Sequence, residues 1–391
     1  MKNYLKLAFY VTLTLSAEAF AQTASAPIED RLHASTNDSP VAYVYVSSTV
    51  PGGSVNEIGA YAAAPNGKLT SIPGSPFQGN AASMAVNGKF LFAVDGYGAN
   101  IDSYRIESNG ALRYAITTGT ESPDNCDVVG QLFLDHTGTS LYGLGYAEGG
   151  CNNNTYENFP VDKATGGLDI AGNNNANDWL SLPATFIGSN EYAYTASCLA
   201  DLYWGIWGYK RSENGELSAI VSARPPTPPA GTFYCPSQAA ADPTNHVAIS
   251  MQPVNNSTFN PDGPPTLATF TAEANGNLIT TSTHSNMPET SVVDVKDLNM
   301  SPSGKLLAVG GTGGLQIFHF NGSEPIKPYT GLITKDEIDQ FFWDNQNHLY
   351  AISRTAGKLF VFTITPTSYS EAQGSPYTIE KPQNIIVQPT K

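Results

Sequence analysis

Residues able to do chemistry are sparse in this chain. Asp95, Asp127, Glu148, Asp294, Lys296, Asp339 and Arg354 each fall at the end of a strand-like segment, and His284 and Glu289 occupy a loop shortly before Asp294. Two acids and a base brought together could activate water against a carbonyl, with Lys296 or Arg354 steadying the oxyanion. Glu148 and Asp294 stand out as acid/base candidates, because Asp294 precedes a strand beside Lys296 and Glu148 neighbours a cysteine-bearing loop. The remaining residues, Asp95, Asp127, His284, Glu289 and Asp339, would serve binding. A plainer role, hydrogen-bonding strand ends, is open to each of them.

Established motifs are missing. There is no G-x-S-x-G, H-E-x-x-H, G-x-x-x-x-G-K-S/T or G-x-G-x-x-G after a strand. Gly310-Gly311-Thr312-Gly313-Gly314 leads into another strand, Leu315 to Phe318, rather than a helix, so it reads as a turn and not a phosphate loop. The Asn173 to Asp178 stretch lacks the glycine and bidentate glutamate of a calcium loop. The sequence therefore gives no reason to expect a metal or a cofactor. His136, His246 and His348 lie beside hairpin turns and read as surface residues. His319, between two phenylalanines, reads as structural, and Trp204 and Trp207 as packing groups.

Repeats indicate what must position these side chains. An apolar-x-x-aromatic segment recurs as Ile58/Tyr61, Ile101/Tyr104, Tyr156/Phe159, Ile206/Tyr209, Leu267/Phe270, Leu315/Phe318 and Leu359/Phe362. The aromatic positions are 43 to 61 residues apart, the period of four-stranded propeller blades. Five copies run into Gly-x-Leu after a turn, and Asn-Gly at 66, 109, 214 and 275 supplies the positive φ of a tight hairpin. The segments are short, bracketed by glycine and rich in Tyr, Val and Ile, which favours strands over helices. The expected fold is all-β: a single seven-bladed propeller of four antiparallel strands per blade.

The chain ends fit that count. Ala42 to Val46 carries a second-strand pattern with no innermost strand before it, and Asn384 to Val387 an innermost pattern with nothing after it. The C-terminal strand is therefore expected to close the ring beside three N-terminal strands. Residues 1–21 read as a secretory signal: Lys2 and Lys6, an apolar run from Leu7 to Leu15, and Ala19-Phe20-Ala21 as cleavage site. That run is too short for the ~20 residues of a spanning helix. Residues 22–40 read as a flexible linker and 41–391 as the propeller. The protein is expected to be secreted or periplasmic, without membrane insertion, and monomeric.

Composition narrows the partners. With 19 basic against 34 acidic residues the net charge is −15, which excludes a nucleic-acid surface. Only 14% of residues are charged, against about 25% in an average soluble protein, so Asn, Ser, Thr and Gly must dress the surface. In an oxidising compartment Cys126, Cys151, Cys198 and Cys235 read as two disulfides. All four map to loops on one face of the propeller. Of the three pairings, Cys126 with Cys151 and Cys198 with Cys235 join neighbouring loops.

Asn100-Ile101-Asp102-Ser103-Tyr104, Asn109-Gly110-Ala111-Leu112, Ser301-Pro302-Ser303-Gly304-Lys305 and Gly74-Ser75-Pro76-Phe77 carry a resemblance. Across about residues 41 to 389 the chain resembles the seven-bladed lactonase-like propellers, the group of 6-phosphogluconolactonase-like and carboxymuconate-cyclase-like proteins. The resemblance implies the fold and a lactonase-type hydrolase; no catalytic set of that group maps onto positions here. Without an Arg/Lys cluster for a phosphate, the implied substrate is an unphosphorylated lactone or sugar acid. The alternative is a non-catalytic propeller holding a protein, glycan or cation on its loops.

Overall fold

The seven apolar-x-x-aromatic segments occupy one position in seven antiparallel sheets, the third strand from the axis. The structure, a computed structural model, describes residues 39–49, 55–96, 98–120, 128–145, 155–169, 182–199, 203–220 and 223–390. Among these there are strands and turns and no helix. From the axis outward, blade 1 is Pro382–Pro389, Ala42–Thr49, Val55–Ala63 and Leu69–Ser71, and blade 2 Ser83–Val86, Phe90–Val94, Asn100–Ile106 and Leu112–Gly119. Blade 3 is Val128–Leu134, Ser140–Gly145 and Thr155–Pro160, with a lone bridge from Val161 to Leu168 where a fourth strand would run. Blade 4 is Thr185–Phe186, Tyr192–Leu199, Tyr203–Arg211 and Leu217–Ala219, and blade 5 Thr232–Ala241, His246–Asn255, Thr266–Ala272 and Leu278–Ile279. Blade 6 is Asp294–Met300, Leu306–Thr312, Gly314–His319 and Lys327–Thr334, and blade 7 Gln340–Trp343, His348–Ser353, Lys358–Thr365 and Ser368–Glu371.

Ring closure follows the register expected from the termini. Tyr43 pairs with Gln388, Val44 with Val387 and Tyr45 with Ile386, so the last strand is the innermost of blade 1. The Gly310 to Gly314 stretch is the hairpin joining the second and third strands of blade 6.

Apolar residues on both strand faces are explained by where the core lies. It consists of seven clusters, each spanning two adjacent blades, so each sheet is covered on both sides. Thirteen of the fourteen repeat residues are buried, and Tyr61 packs half-buried against the blade 7/blade 1 cluster. The Gly-x-Leu turns serve the same interfaces. Tyr45, Tyr142 and Tyr194 donate to the carbonyls of Gly110, Gly215 and Gly276, the turn glycines of the next blade, at 2.9, 2.5 and 2.7 Å. At Gly110, where φ is +83°, a Cβ would stand 2.4 Å from the Tyr43 ring, so a side chain would break the turn and the contact together.

Two expectations need correction. Cys198 and Cys235 are bonded to one another, but they lie in strands rather than loops, joining the second strand of blade 4 to the innermost strand of blade 5. His348 is buried, not a surface residue. Asp344 caps the hairpin through the amides of Gln346 and His348, which returns the imidazole to its carboxylate; Nδ1 and the Tyr350 hydroxyl lie 2.7 and 2.8 Å from the same oxygen. His246 repeats the arrangement half-buried, with Nδ1 3.1 Å from Asp242. Cys126 and Cys151 lie outside the described residues.

Candidate active site

Residues of the innermost strands of blades 5, 6, 7 and 1, among them Gln238, Lys296, Gln340 and Asn384, line one cavity on the central channel. A bulge sets the geometry there. In blade 6, Val295 pairs with Gly311 and Asp297 with Gly310, leaving Lys296 as an extra residue. The bulge needs glycine opposite it, because a Cβ on Gly311 would lie 1.8 Å from the Asp294 carbonyl oxygen. Gln238 of blade 5 holds the bulged segment by donating its side-chain amide to the Lys296 carbonyl at 3.0 Å. Lys296 and Asp297 both line the channel.

The Lys296 ammonium crosses to blade 7, bonding Glu337 and, at 3.0 Å, Asp339 Oδ1. Asp339 Oδ2 accepts the Arg354 backbone amide at 2.8 Å, and Glu337 Oε2 accepts the Thr355 hydroxyl at 3.1 Å. The hydrogen bond with Glu337 holds the lysine pKa above its ordinary value and that of Glu337 below. Arg354 donates Nε to the Gln383 carbonyl at 2.9 Å and is otherwise exposed at the mouth. Asp297 is different. It keeps a small channel-facing surface but is surrounded by protein, and this desolvation pushes its carboxyl up to about 7, against the opposing hydrogen bonds from the Phe341 and Leu298 amides. The Phe341 amide donates to Oδ2 at 2.8 Å.

Amides complete the mouth. Gln340 Oε1 accepts from Asn384 Nδ2 at 2.8 Å and from the Ile385 amide at 2.9 Å. Asn384 Oδ1 is buried without a protein hydrogen-bond partner. The cavity occupies about 450 Å³, within the range of small-molecule sites.

Of the residues proposed from sequence, Lys296, Asp339 and Arg354 are brought together in this cavity. Asp294 opens the same strand but is exposed and lies outside the lining. Asp95 caps the turn between the second and third strands of blade 2, accepting from the Ala99 amide and the Asn100 side chain. His284 is exposed, with Nδ1 2.9 Å from the Tyr234 hydroxyl, and exposed Glu289 bridges to Thr266. None of these three lines the cavity. Asp127 and Glu148 lie outside the described residues. Asp297, Glu337, Gln340 and Asn384 are missing from the sequence-based selection. Asp-Val-Lys-Asp at the start of an innermost strand was the available signal, since charge is unexpected in so enclosed a segment.

No protein-family model and no curated protein matches the chain. Solved structures do. A periplasmic gluconolactonase of Pseudomonas aeruginosa superposes with a TM-score of 0.64 at 17% identity, over 90% of this chain and 99% of that one. A Bacteroides fragilis protein provisionally named a 6-phosphogluconolactonase gives 0.59 at 16% identity, over 90% and 99%. The chain has the lactonase-like seven-bladed propeller fold. A hypothetical selenium-binding protein of Sulfolobus tokodaii matches this lactonase-like propeller with a TM-score of 0.60 at 12% identity, over 89% and 94%. The architecture is thus shared by proteins with dissimilar names, and the site has to carry the functional argument.

Proposed function

We propose that this lactonase-like propeller is an exported hydrolase that opens an unphosphorylated lactone at the polar mouth of its channel. The observation that carries the proposal is Asp297, a carboxyl whose pKa burial raises to about 7, in the wall of the cavity that Lys296 and Arg354 also line. In its ionised form Asp297 takes a proton from water as the water oxygen bonds to the acyl carbon. The bond from that carbon to the ring oxygen then breaks, and the proton passes to the departing alkoxide, giving a hydroxy acid. Arg354 is the better oxyanion donor, because two carboxylates already offset the Lys296 charge. Asp297 replaces Asp294 as the base in this scheme, since Asp294 does not reach the cavity. The same balance of charge supports a substrate without phosphate. The signal-like residues 1–21 and the Cys198–Cys235 bond support an oxidising, extracytoplasmic location.

A binding role is the second reading, favoured by the Lys296, Glu337 and Asp339 cluster, which could simply tie blade 6 to blade 7 while the loops hold a protein, glycan or cation. A panel of unphosphorylated lactones, assayed with and without chelator, separates the two. The hydrolase reading expects ring opening that chelator leaves unchanged. Absence of turnover on every lactone would overturn it in favour of binding.

A further inference from the structure

Six asparagines precede a glycine, at 66, 87, 109, 214, 275 and 321, and all six pairs lie within the described residues. Such a pair is open to cyclisation, because glycine leaves its amide nitrogen free to swing onto the asparagine carboxamide. Hydrogen bonds decide whether it can. In four pairs the glycine amide closes the turn, Gly67 on Ala64, Gly110 on Glu107, Gly215 on Ser212 and Gly276 on Glu273, at 2.8 to 3.1 Å. At Asn87 the carboxamide is tied down instead: its oxygen accepts the Lys89 and Phe90 amides and its nitrogen donates to the Gly138 carbonyl. Asn321 differs. It opens its turn, its carbonyl accepting the Glu324 amide at 3.2 Å, and Gly322 follows with φ +62°. Among the described residues neither the Asn321 carboxamide nor the Gly322 amide has a hydrogen-bond partner, and Asn321 is exposed.

A base stands beside this pair. The His246 imidazole packs on Gly322, its Nε2 3.2 Å from where a Cβ would stand. Nδ1 faces the Asp242 carboxylate at 3.1 Å and the Thr244 hydroxyl at 2.9 Å, and that hydroxyl gives its proton to Asp242. Both partners of Nδ1 therefore accept, which puts the ring proton on Nδ1 and leaves Nε2 as the basic nitrogen. Asp344 and His348 pack in the same way on Gly67, Cδ2 lying 3.2 Å from the corresponding position, but there the glycine amide is already engaged.

We propose that Asn321 is a self-modifying site, converted to aspartate and isoaspartate with His246, held by Asp242, as the base. The Gly322 nitrogen bonds to Cγ of Asn321 as its proton passes to Nε2, directly or through one water. Nδ2 leaves as ammonia, taking that proton, and a five-membered imide remains. Water then breaks one of the two imide C–N bonds. Opening at Cγ gives aspartate, and opening at the main-chain carbonyl gives isoaspartate. One water is consumed and one ammonia released. The conversion adds a charge, and in the iso form a backbone methylene, beside the Gly322 carbonyl that accepts the Thr269 hydroxyl of blade 5 at 2.7 Å. It is independent of the hydrolase reading.

Peptide mapping of the full-length protein, incubated folded and in guanidinium at one pH, tests the proposal. Conversion is read from the replacement of NH2 by OH in the fragment mass and from isoaspartyl methyltransferase labelling. In the folded protein Asn321 is expected to convert at least about tenfold faster than any of the other five asparagines, and about tenfold faster than in the unfolded chain, where the six rates converge. His246→Gln removes the base and is expected to cut the Asn321 rate about tenfold with the other five unmoved. Asn321 converting no faster folded than unfolded overturns the proposal, whatever the fate of His246→Gln. Faster conversion of any of the other five in the folded protein overturns the choice of Asn321, and a wild-type rate in folded His246→Gln overturns the base.

Discussion

Asp297 is a carboxyl kept in surroundings that disfavour its charge, and that has a measurable cost. Its pKa is raised from 3.8 to about 7 on folding. The protonated form is favoured in the folded state, so folding is helped below pH 4 and increasingly penalised as pH rises toward 7, with the full penalty above it. Three units correspond to an upper bound on the order of 4 kcal/mol. Asp297→Asn keeps the acceptor for the Phe341 amide and removes the ionisation. It is expected to be more stable than wild type at pH 8, with the difference vanishing near pH 4 in denaturant titrations; equal pH dependence of the two proteins would show that Asp297 is not desolvated. Lys296, Arg354 and Asp339 were legible in the sequence because single charges in an apolar repeat stand out. Asp297 was not, because its burial depends on the Phe341 segment of the next blade, which donates to it from 44 residues away.

At the scale of elements, the bulge at Lys296 sits tightly against the second strand of blade 6, and Gly311 is what allows it. Gly311→Ala would drive a methyl into the Asp294 carbonyl; the expected result is a loss of roughly 3 kcal/mol of stability, or a regularised strand with the mouth disassembled. Wild-type stability with intact activity would contradict that account. The Cys198–Cys235 bond closes 37 residues between blades 4 and 5, which in the chain-entropy view stabilises by about 4 kcal/mol. Removing both sulfurs with C198S/C235S should lower thermal stability correspondingly, and an unchanged midpoint would assign the bond no such role. The third-strand repeat was readable because every blade buries it in the same way. The placement of the cysteines inside strands was not, since neither falls in a repeat segment and Pro236 follows Cys235 directly.

For the whole molecule, closure depends on a strand taken from the far end of the chain. Pro382–Pro389 supplies the innermost strand of blade 1, and its Asn384 also reaches Gln340 of blade 7. Deleting residues 382–391 leaves two blades without their axial contacts and exposes a strand edge. The shortened chain is expected to aggregate or lose cooperative unfolding, and a soluble product with the wild-type Tm would contradict the closed ring as its source of stability. Unpaired ends were the clearest sign of this architecture in the sequence, because a second-strand pattern at one terminus needs a partner at the other. Chemistry was less legible, since the channel mouth is assembled from four blades that lie far apart along the chain. Its function is tested most directly by the pH dependence of kcat/KM for a simple γ-lactone, measured from pH 5 to 9 on wild type and Asp297→Asn. Activity rising with pH to a midpoint near 7, and falling about 10² to 10⁴-fold in the variant, is the result predicted. Hydrolysis by the variant at the wild-type rate, or no hydrolysis by either protein, would contradict it.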